Sequence, residues 1–366
     1  MVTRQKDNSS DLVHRRKPET ARRVTMTDVA REAGCSQATV SFVLNNASGI
    51  RLSEETRRRV FDAARRLGYD GHVARAAQAV RAQRGRRIGF VVDQLATSPE
   101  AVQAVEGLSQ AVQAAGDLVF VAQSRTDARI EAELIASFVE QGAVALVYMT
   151  IFTREIELPK ALLDLDIPVL LLNCYTTDQS RPAVVPSEIA GGQRATQHLI
   201  SKGHRRIATI TGEIWMEAAQ DRLKGYRRAL STADIPFDED LVFNGDWSAS
   251  AGYEATRKIL ALQDIPTAIF CQNDRMSIGC YEALKEAGYE IPRDMSVVGY
   301  DDEEIARHLH PRLTTSVLPH RAMGQWIAEQ LAEHWSADQQ RYAIVKLECP
   351  LVERLSVTSP RGELPL

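Results

Sequence analysis

From Ile88 onward the chain alternates two kinds of segment, and this alternation limits the folds open to it. Short apolar runs recur at Ile88–Val92, Leu118–Ala122, Ala145–Tyr148, Val169–Leu172, Ile207–Ile210, Leu241–Phe243, Ala268–Phe270 and Val297–Gly299. Between them lie amphipathic stretches such as Ala101–Ala115, Ile130–Glu140, Gln193–Lys202, Gln220–Leu230, Ser250–Leu260 and Ser277–Ala287. Short apolar runs have the length of strands buried on both faces, and a strand–helix repeat builds a parallel sheet covered by helices. About eight strands over roughly 260 residues predict an α/β body with two doubly wound parallel sheets. Ligands of open sheets bind beyond the carboxyl ends of the strands, so the residues just after each run are site candidates.

Charge divides the chain at the same place. Residues 1–87 carry 19 Lys and Arg against 9 Asp and Glu, a net of +10. Residues 88–366 carry 25 against 39, a net of −14, and the whole-chain value of −4 hides the split. A basic head on an acidic body predicts a nucleic-acid-binding module joined to something else. Residues 1–23 are polar and without period, which predicts a disordered basic tail, and 359–366 form a short tail at the other end. No apolar run is long enough to span a bilayer, and the first residues lack the apolar core of a signal peptide. The five cysteines are scattered and not in CxxC spacing, which predicts reduced thiols in a cytoplasmic protein with no metal site.

The head, residues 24–70, reads as three short helices. Thr25 and Asp28 make a capping-box start, Val29, Ala30 and Ala33 share a face, and Gly34 ends the first helix. Ser36 caps a second helix in which Val40, Val43 and Leu44 face inward. Val60, Ala63, Ala64 and Leu67 line the third, which Gly68 ends. A glycine turn between the first two helices predicts an all-α helix-turn-helix module, whose second helix enters the major groove. On that helix Gln37, Ala38, Ser41 and Phe42 point outward. Gln37 can pair with an adenine edge and Ala38 can touch a thymine methyl, while Phe42 contacts a base or folds back onto the core. Ser36, Thr39 and Asn45 are placed for phosphate contacts, and Thr25 joins the DNA-contacting set.

In the body, Asn173, Trp247, Asn273 and Asp301 follow strand ends, and Arg222 opens a helix after Ile207–Thr211. A carboxylate, amides, a guanidinium and an indole around one cleft suit a polyhydroxylated ligand. No GxGxxG after the first strand, GxxxxGK, HExxH or GxSxG occurs, so neither a cofactor nor a catalytic apparatus is expected.

The run from Val24 to Asn45 resembles the DNA-binding head of the lac/galactose repressor (LacI/GalR) family, and Ser53–Arg57 and Leu67–Tyr69 continue the likeness. Arg222–Leu230, Asn273-Asp274, Ser296–Asp302 and Leu313–Thr315 are similar to motifs of the family's body. The resemblance implies a two-lobed, periplasmic-binding-protein-like body over 88–358. Lobe one would take about 88–185 plus 316–345, and lobe two about 186–315 plus 346–358. Residues 71–87 would be a hinge that folds on DNA, with Val80 as a minor-groove wedge and Arg81 beside it, although counting forward from Tyr69 points nearer Gln78. Phe42 stands where the family usually has a basic or polar residue. Val185-Pro186-Ser187 and Met149 also depart from the family pattern near the ligand.

The function expected is a cytoplasmic, homodimeric transcriptional repressor. It would bind a palindromic double-stranded operator under control of a small effector, a sugar or sugar derivative, held by Asn173, Arg222, Trp247, Asn273 and Asp301. Two alternatives are a solute-binding protein and an α/β enzyme with a fused DNA-binding regulatory head. The basic head speaks against the first, the missing catalytic motifs against the second.

Overall fold

The computed structural model describes residues 24–44, 53–67, 69, 85–95, 99–332 and 341–361. The expected basic tail, the loop containing Asn45, the hinge with Val80 and Arg81, and residues 362–366 lie outside the described residues. So do the side chains of Ala38, Phe42 and Leu44. The chain divides into two compact units, split between Arg84 and Gly85.

The first unit holds α1 (Met26–Ala33), α2 (Gln37–Leu44) and α3 (Glu54–Arg66). The capping box forms as its residue types predict: the Asp28 N–H donates to Thr25 Oγ1 at 3.4 Å and the Thr25 N–H donates to the Asp28 carboxylate at 2.9 Å. Gly34 closes α1 with φ of 65°, a left-handed geometry that costs glycine nothing. Ser36 Oγ accepts from the Thr39 N–H at 3.1 Å and caps α2. Val29, Ala30, Ala33, Val40, Val43, Val60, Ala63 and Ala64 form one small core.

The second unit contains two six-stranded sheets. The first takes β1 (Arg87–Val92), β2 (Leu118–Gln123), β3 (Ala145–Glu155), β4 (Val169–Tyr175), β5 (Ala183–Pro186) and, much later, β11 (Ile344–Leu347). Its helices are α4 (Glu100–Gln113), α5 (Ala128–Glu140), α6 (Lys160–Leu163) and α11 (His320–Ala332). The second sheet takes β6 (Ile207–Thr211), β7 (Val242–Asn244), β8 (Ala268–Cys271), β9 (Ser296–Asp301), β10 (Thr314–Val317) and β12 (Leu351–Val352). Its helices are α7 (Glu188–Ser201), α8 (Glu217–Thr232), α9 (Ala249–Leu260) and α10 (Asp274–Glu286). The spatial orders are β11-β5-β4-β3-β1-β2 and β12-β10-β9-β8-β6-β7. All pairings are parallel except β10–β12. The chain passes between the sheets three times: after β5, after β10 and after β11.

Twelve strands form among the described residues where eight apolar runs were legible. Strand β10 reads Thr-Thr-Ser-Val and escapes an apolar search. Its Thr314 N–H donates to Ser356 Oγ at 2.8 Å and its Thr315 hydroxyl donates to the Asp274 carboxylate at 2.6 Å, so the polar strand is buried with partners. The other missed strands, β5, β11 and β12, have only two to four residues each.

Helices α4 and α11 pack backbone to backbone. A Cβ on Gly107 would lie 2.0 Å from the Arg321 carbonyl oxygen, and one on Gly324 would lie 2.1 Å from that of Ala104. Gly324→Ala therefore has to push α4 and α11 apart, at a cost of about 1–3 kcal/mol. A lowered urea midpoint for this variant checks the packing, and an unchanged midpoint would contradict it.

Candidate effector site and DNA-reading helix

The carboxyl ends of both sheets face one cleft of about 280 Å³. Asn173, Arg222, Trp247, Asn273 and Asp301 all line it. Three of them carry non-glycine backbones at positive φ: Asn173 at 60°, Trp247 at 68° and Asp301 at 108°. Such conformations cost free energy and concentrate where a site holds them in place.

The five residues do different work. Arg222 lies in the second turn of α8, which starts at Glu217, so it does not open its helix as the sequence pattern suggested. Its guanidinium is buried and engaged on several sides. Nε and Nη2 donate to Glu188 at 2.8 and 2.9 Å, and Nη1 donates to the Gln272 carbonyl at 2.5 Å. Its plane stands 3.8 Å from the Tyr300 ring centroid, and Asp301 Oδ1 lies 3.5 Å from Nη1. Burial opposes its charge, but Glu188 and Asp301 outweigh burial and hold the pKa above the ordinary arginine value.

Asn173 donates both amide hydrogens to the backbone, to the Thr150 carbonyl at 3.0 Å and the Ile151 carbonyl at 2.9 Å. Its Oδ1 accepts from the Thr153 hydroxyl at 2.6 Å. Asp93 holds the same segment, accepting from the Ile151 N–H at 2.8 Å and from Arg154 at 3.1 Å. Asn173 thus shapes the wall of the cleft, where β3 breaks register between Met149 and Arg154.

Trp247 stacks into space left by Gly212, where a Cβ would sit 1.9 Å from the indole. Its N–H points at Met216 Sδ, 3.0 Å away. Asn273 caps α10 through a 2.8 Å bond from the Met276 N–H and donates to the Trp247 carbonyl at 3.0 Å. Asp301 is different: its Oδ1 is buried and receives no hydrogen bond among the described residues. Burial raises its pKa well above the usual carboxylate range, and Arg222 only partly offsets that.

Sequence reasoning missed Glu188, Glu100 and His320, which line the same cleft. Glu188 and His320 come just after β5 and β10, so the strand-end rule would have reached them had those strands been visible. Among the described residues no cluster of His, Cys, Asp and Glu could hold a metal ion, and no helix is long and apolar enough to cross a membrane.

On the head, Gln37 is exposed at the start of α2, while Val40 and Val43 are buried. Thr25 and Ser36 are exposed, and Thr39 and Ser41 are half-buried. Ser36 and Thr25 engage their hydroxyls in caps, with Ser36 Oγ 2.8 Å from Thr39 Oγ1 and Thr25 Oγ1 2.6 Å from the Asp28 carboxylate.

Two family models match the chain: "Bacterial regulatory proteins, lacI family" over residues 25–71, and "Periplasmic binding protein-like domain" over 196–357. The transcriptional regulator CelR of Thermobifida fusca is 33% identical over 351 residues, 92% of this chain and 99% of that protein. The chain belongs to the LacI family. It is a DNA-binding transcriptional regulator with a periplasmic-binding-protein-like body, and its relatives are regulators, not enzymes. The HTH-type transcriptional repressor PurR of Vibrio cholerae is 30% identical over 336 residues, covering 91% of this chain and 98% of the relative. A structure of the Lac repressor dimer bound to operator and an anti-inducer aligns with a TM-score of 0.64 at 28% identity, over 92% of this chain and 99% of that one. A CelR–cellobiose complex aligns with a TM-score of 0.63 at 30% identity, over 91% and 100%.

Two predictions follow from the charges. Glu188→Gln leaves the Arg222 guanidinium buried without its counter-charge and should cost about 3–5 kcal/mol in urea unfolding. Glu188→Gln combined with Arg222→Met should recover most of that loss, and failure to recover would mean the pair is not what holds this region.

Asp274 supplies the second. Burial raises its pKa to about 8, against hydrogen bonds from Thr315 and the Glu303 N–H that lower it. The folded protein then binds more protons than the unfolded chain between about pH 4 and pH 8, so stability falls as the pH rises through that window. Melting temperatures measured from pH 5 to pH 8 should decline, and Asp274→Asn should flatten the decline.

Proposed function

We propose that the protein is a cytoplasmic repressor that binds a palindromic operator as a homodimer and releases or tightens it when a carbohydrate occupies the cleft between its lobes. The observation that carries the effector reading is the cleft itself. Strained residues from both sheets converge there around a buried carboxyl oxygen of Asp301 that receives no hydrogen bond among the described residues and meets Arg222 only at 3.5 Å. Such a site suits a ligand with several hydroxyl groups and a flat apolar face for Trp247. The complex of a relative with cellobiose supports the same class.

The lobes would be about 88–185 with 316–345, and about 186–315 with 346–358, each bound moving by one or two residues so that β5 and β11 stay whole in the first sheet and β10 in the second. Three chain crossings let them close on a ligand, and closure would shift the lobe-one surface that meets the partner. An exposed apolar group is available there: Leu118, Phe120 and Val121 on the edge strand β2, with Val102 on α4 nearby in sequence. A two-fold operator needs a two-fold protein, which favours the homodimer. Typical coupling between two such sites is about 1–3 kcal/mol.

At the operator, Gln37, Ala38, Ser41 and Phe42 would face base edges, and Thr25, Ser36, Thr39 and Asn45 phosphates. Val80 and Arg81 of the hinge would enter the minor groove. Asn173 would shape the effector site, whereas Asp301 and Asn273 would face the ligand with Trp247 as its flat wall and Arg222 behind it.

Operator sequences selected from random DNA by the purified protein, followed by gel shifts with a sugar panel, test this reading. Gln37→Ala should weaken operator binding by about 1–3 kcal/mol and relax one base pair. Asp301→Ala should remove the sugar response. A protein that selects no DNA sequence at any salt concentration would end the operator reading, and a normal response in Asp301→Ala would end the pocket assignment.

A further inference from the structure

The cleft holds buried polar atoms that the fold leaves unsatisfied. Among the described residues, both ring nitrogens of His320, Oε2 of Glu100 and Oδ1 of Asp301 have no hydrogen-bond partner. All three side chains line the cleft. Glu100 is the first residue of α4 and His320 the first of α11, both on lobe one, while Asp301 ends β9 on lobe two. His320 is 2% exposed. A buried imidazole with neither nitrogen paired carries a desolvation cost that a ligand can remove. Burial, with Arg222 adding to it, pushes the His320 pKa down to about 3, so the ring is neutral and offers one donor and one acceptor.

The charges around it are one-sided. Arg222 is paired with Glu188 and stands 3.5 Å from Asp301 Oδ1, and Arg275 is paired with Glu303 at 3.1 Å. Glu100, Glu213 and Asp246 form no ion pair among the described residues, and they leave the cleft acidic.

We propose that His320, Glu100 and Asp301 form a subsite that reads neighbouring hydroxyl groups of an uncharged sugar, and that this cleft rejects sugar phosphates and sugar acids. The inference rests on the carbohydrate reading and narrows it to one class. A hydroxyl can donate and accept at once, so one can donate to the bare imidazole nitrogen while another accepts from the ring N–H. The second hydroxyl still has its own hydrogen to donate to Oε2 of Glu100, and a third hydroxyl can donate to Oδ1 of Asp301, so the ligand joins the two lobes. A phosphate dianion has acceptors only. It would have no hydrogen to offer the bare imidazole nitrogen or Oε2 of Glu100, and it would lose its hydration in an acidic cleft.

Calorimetric titration of the full chain at pH 7.5 tests this with D-glucose, D-ribose and cellobiose among a broad set of neutral mono- and disaccharides, with glucose 6-phosphate, ribose 5-phosphate and glucuronic acid alongside. A neutral sugar should bind, and its phosphate should bind at least about 100-fold more weakly. His320→Ala should weaken the neutral sugar about 10–100-fold, for two lost hydrogen bonds, while His320→Gln, which keeps a donor and an acceptor, should lose less than about tenfold. A phosphate that binds as tightly as its parent sugar, or a His320→Ala variant with undiminished affinity, would overturn the subsite and leave the carbohydrate reading standing. If no sugar of either class binds, the carbohydrate reading falls and the subsite with it. Should His320→Ala not fold, the comparison of sugar and phosphate on the unaltered protein decides the matter.

Discussion

The buried ion pair between Glu188 and Arg222 ties together the elements that build one side of the cleft. Glu188 begins α7, just after the chain first leaves the lobe-one sheet, and Arg222 projects from α8. Through the same guanidinium the ends of β8 and β9 are joined, by the Gln272 carbonyl and by Asp301, with the Tyr300 ring against its face. Two charges taken out of water are tolerated only when nearly every donor and acceptor is matched. Arg222 meets that demand with three hydrogen bonds and two carboxylates. The helices must also come close: a Cβ on Gly192 would sit 2.4 Å from the Arg222 carbonyl oxygen, and one on Gly225 would sit 2.2 Å from that of Ile189. The glycines allow α7 and α8 to approach, and the ion pair uses that approach.

Lobe one solves the matching problem with smaller groups. Asn173 and Asp93 hold the irregular stretch of β3, so the Ile151 N–H and the Thr150 and Ile151 carbonyls have partners where the chain lines the cavity. Lobe two therefore presents a neutralised arginine and lobe one a shaped wall. Unsatisfied atoms of Glu100, Asp301 and His320 lie between them, where a ligand can bridge the lobes and the three crossing segments can bend.

Much of this was legible along the chain. The alternation of apolar runs and amphipathic helices marked two parallel sheets, and the capping residues Thr25 and Ser36 and the glycine at 34 marked the head helices. The strand-end rule brought Asn173, Trp247, Asn273 and Asp301 to one cleft because it depends only on where strands stop, whereas Arg222 reaches the cleft from the second turn of α8. It could not reveal that the Asn173 amide hydrogens go to Thr150 and Ile151, or that the Arg222 charge goes to Glu188. It could not find His320, because β10 is a polar strand whose burial depends on Ser356 and Asp274, 42 and 41 residues away along the chain.

By itself the sequence determined the order of elements, the division at the basic head and the residues available at the strand ends, since periodicity, capping and charge act over a few residues. The tertiary structure decided which of those residues remain free to meet a ligand. That depends on partners brought together from distant parts of the chain. A buried polar group is either satisfied by the fold or left for something that enters it, and only the folded chain separates Arg222, which has its hydrogen bonds, from Asp301 Oδ1 and the His320 ring nitrogens, which receive none among the described residues.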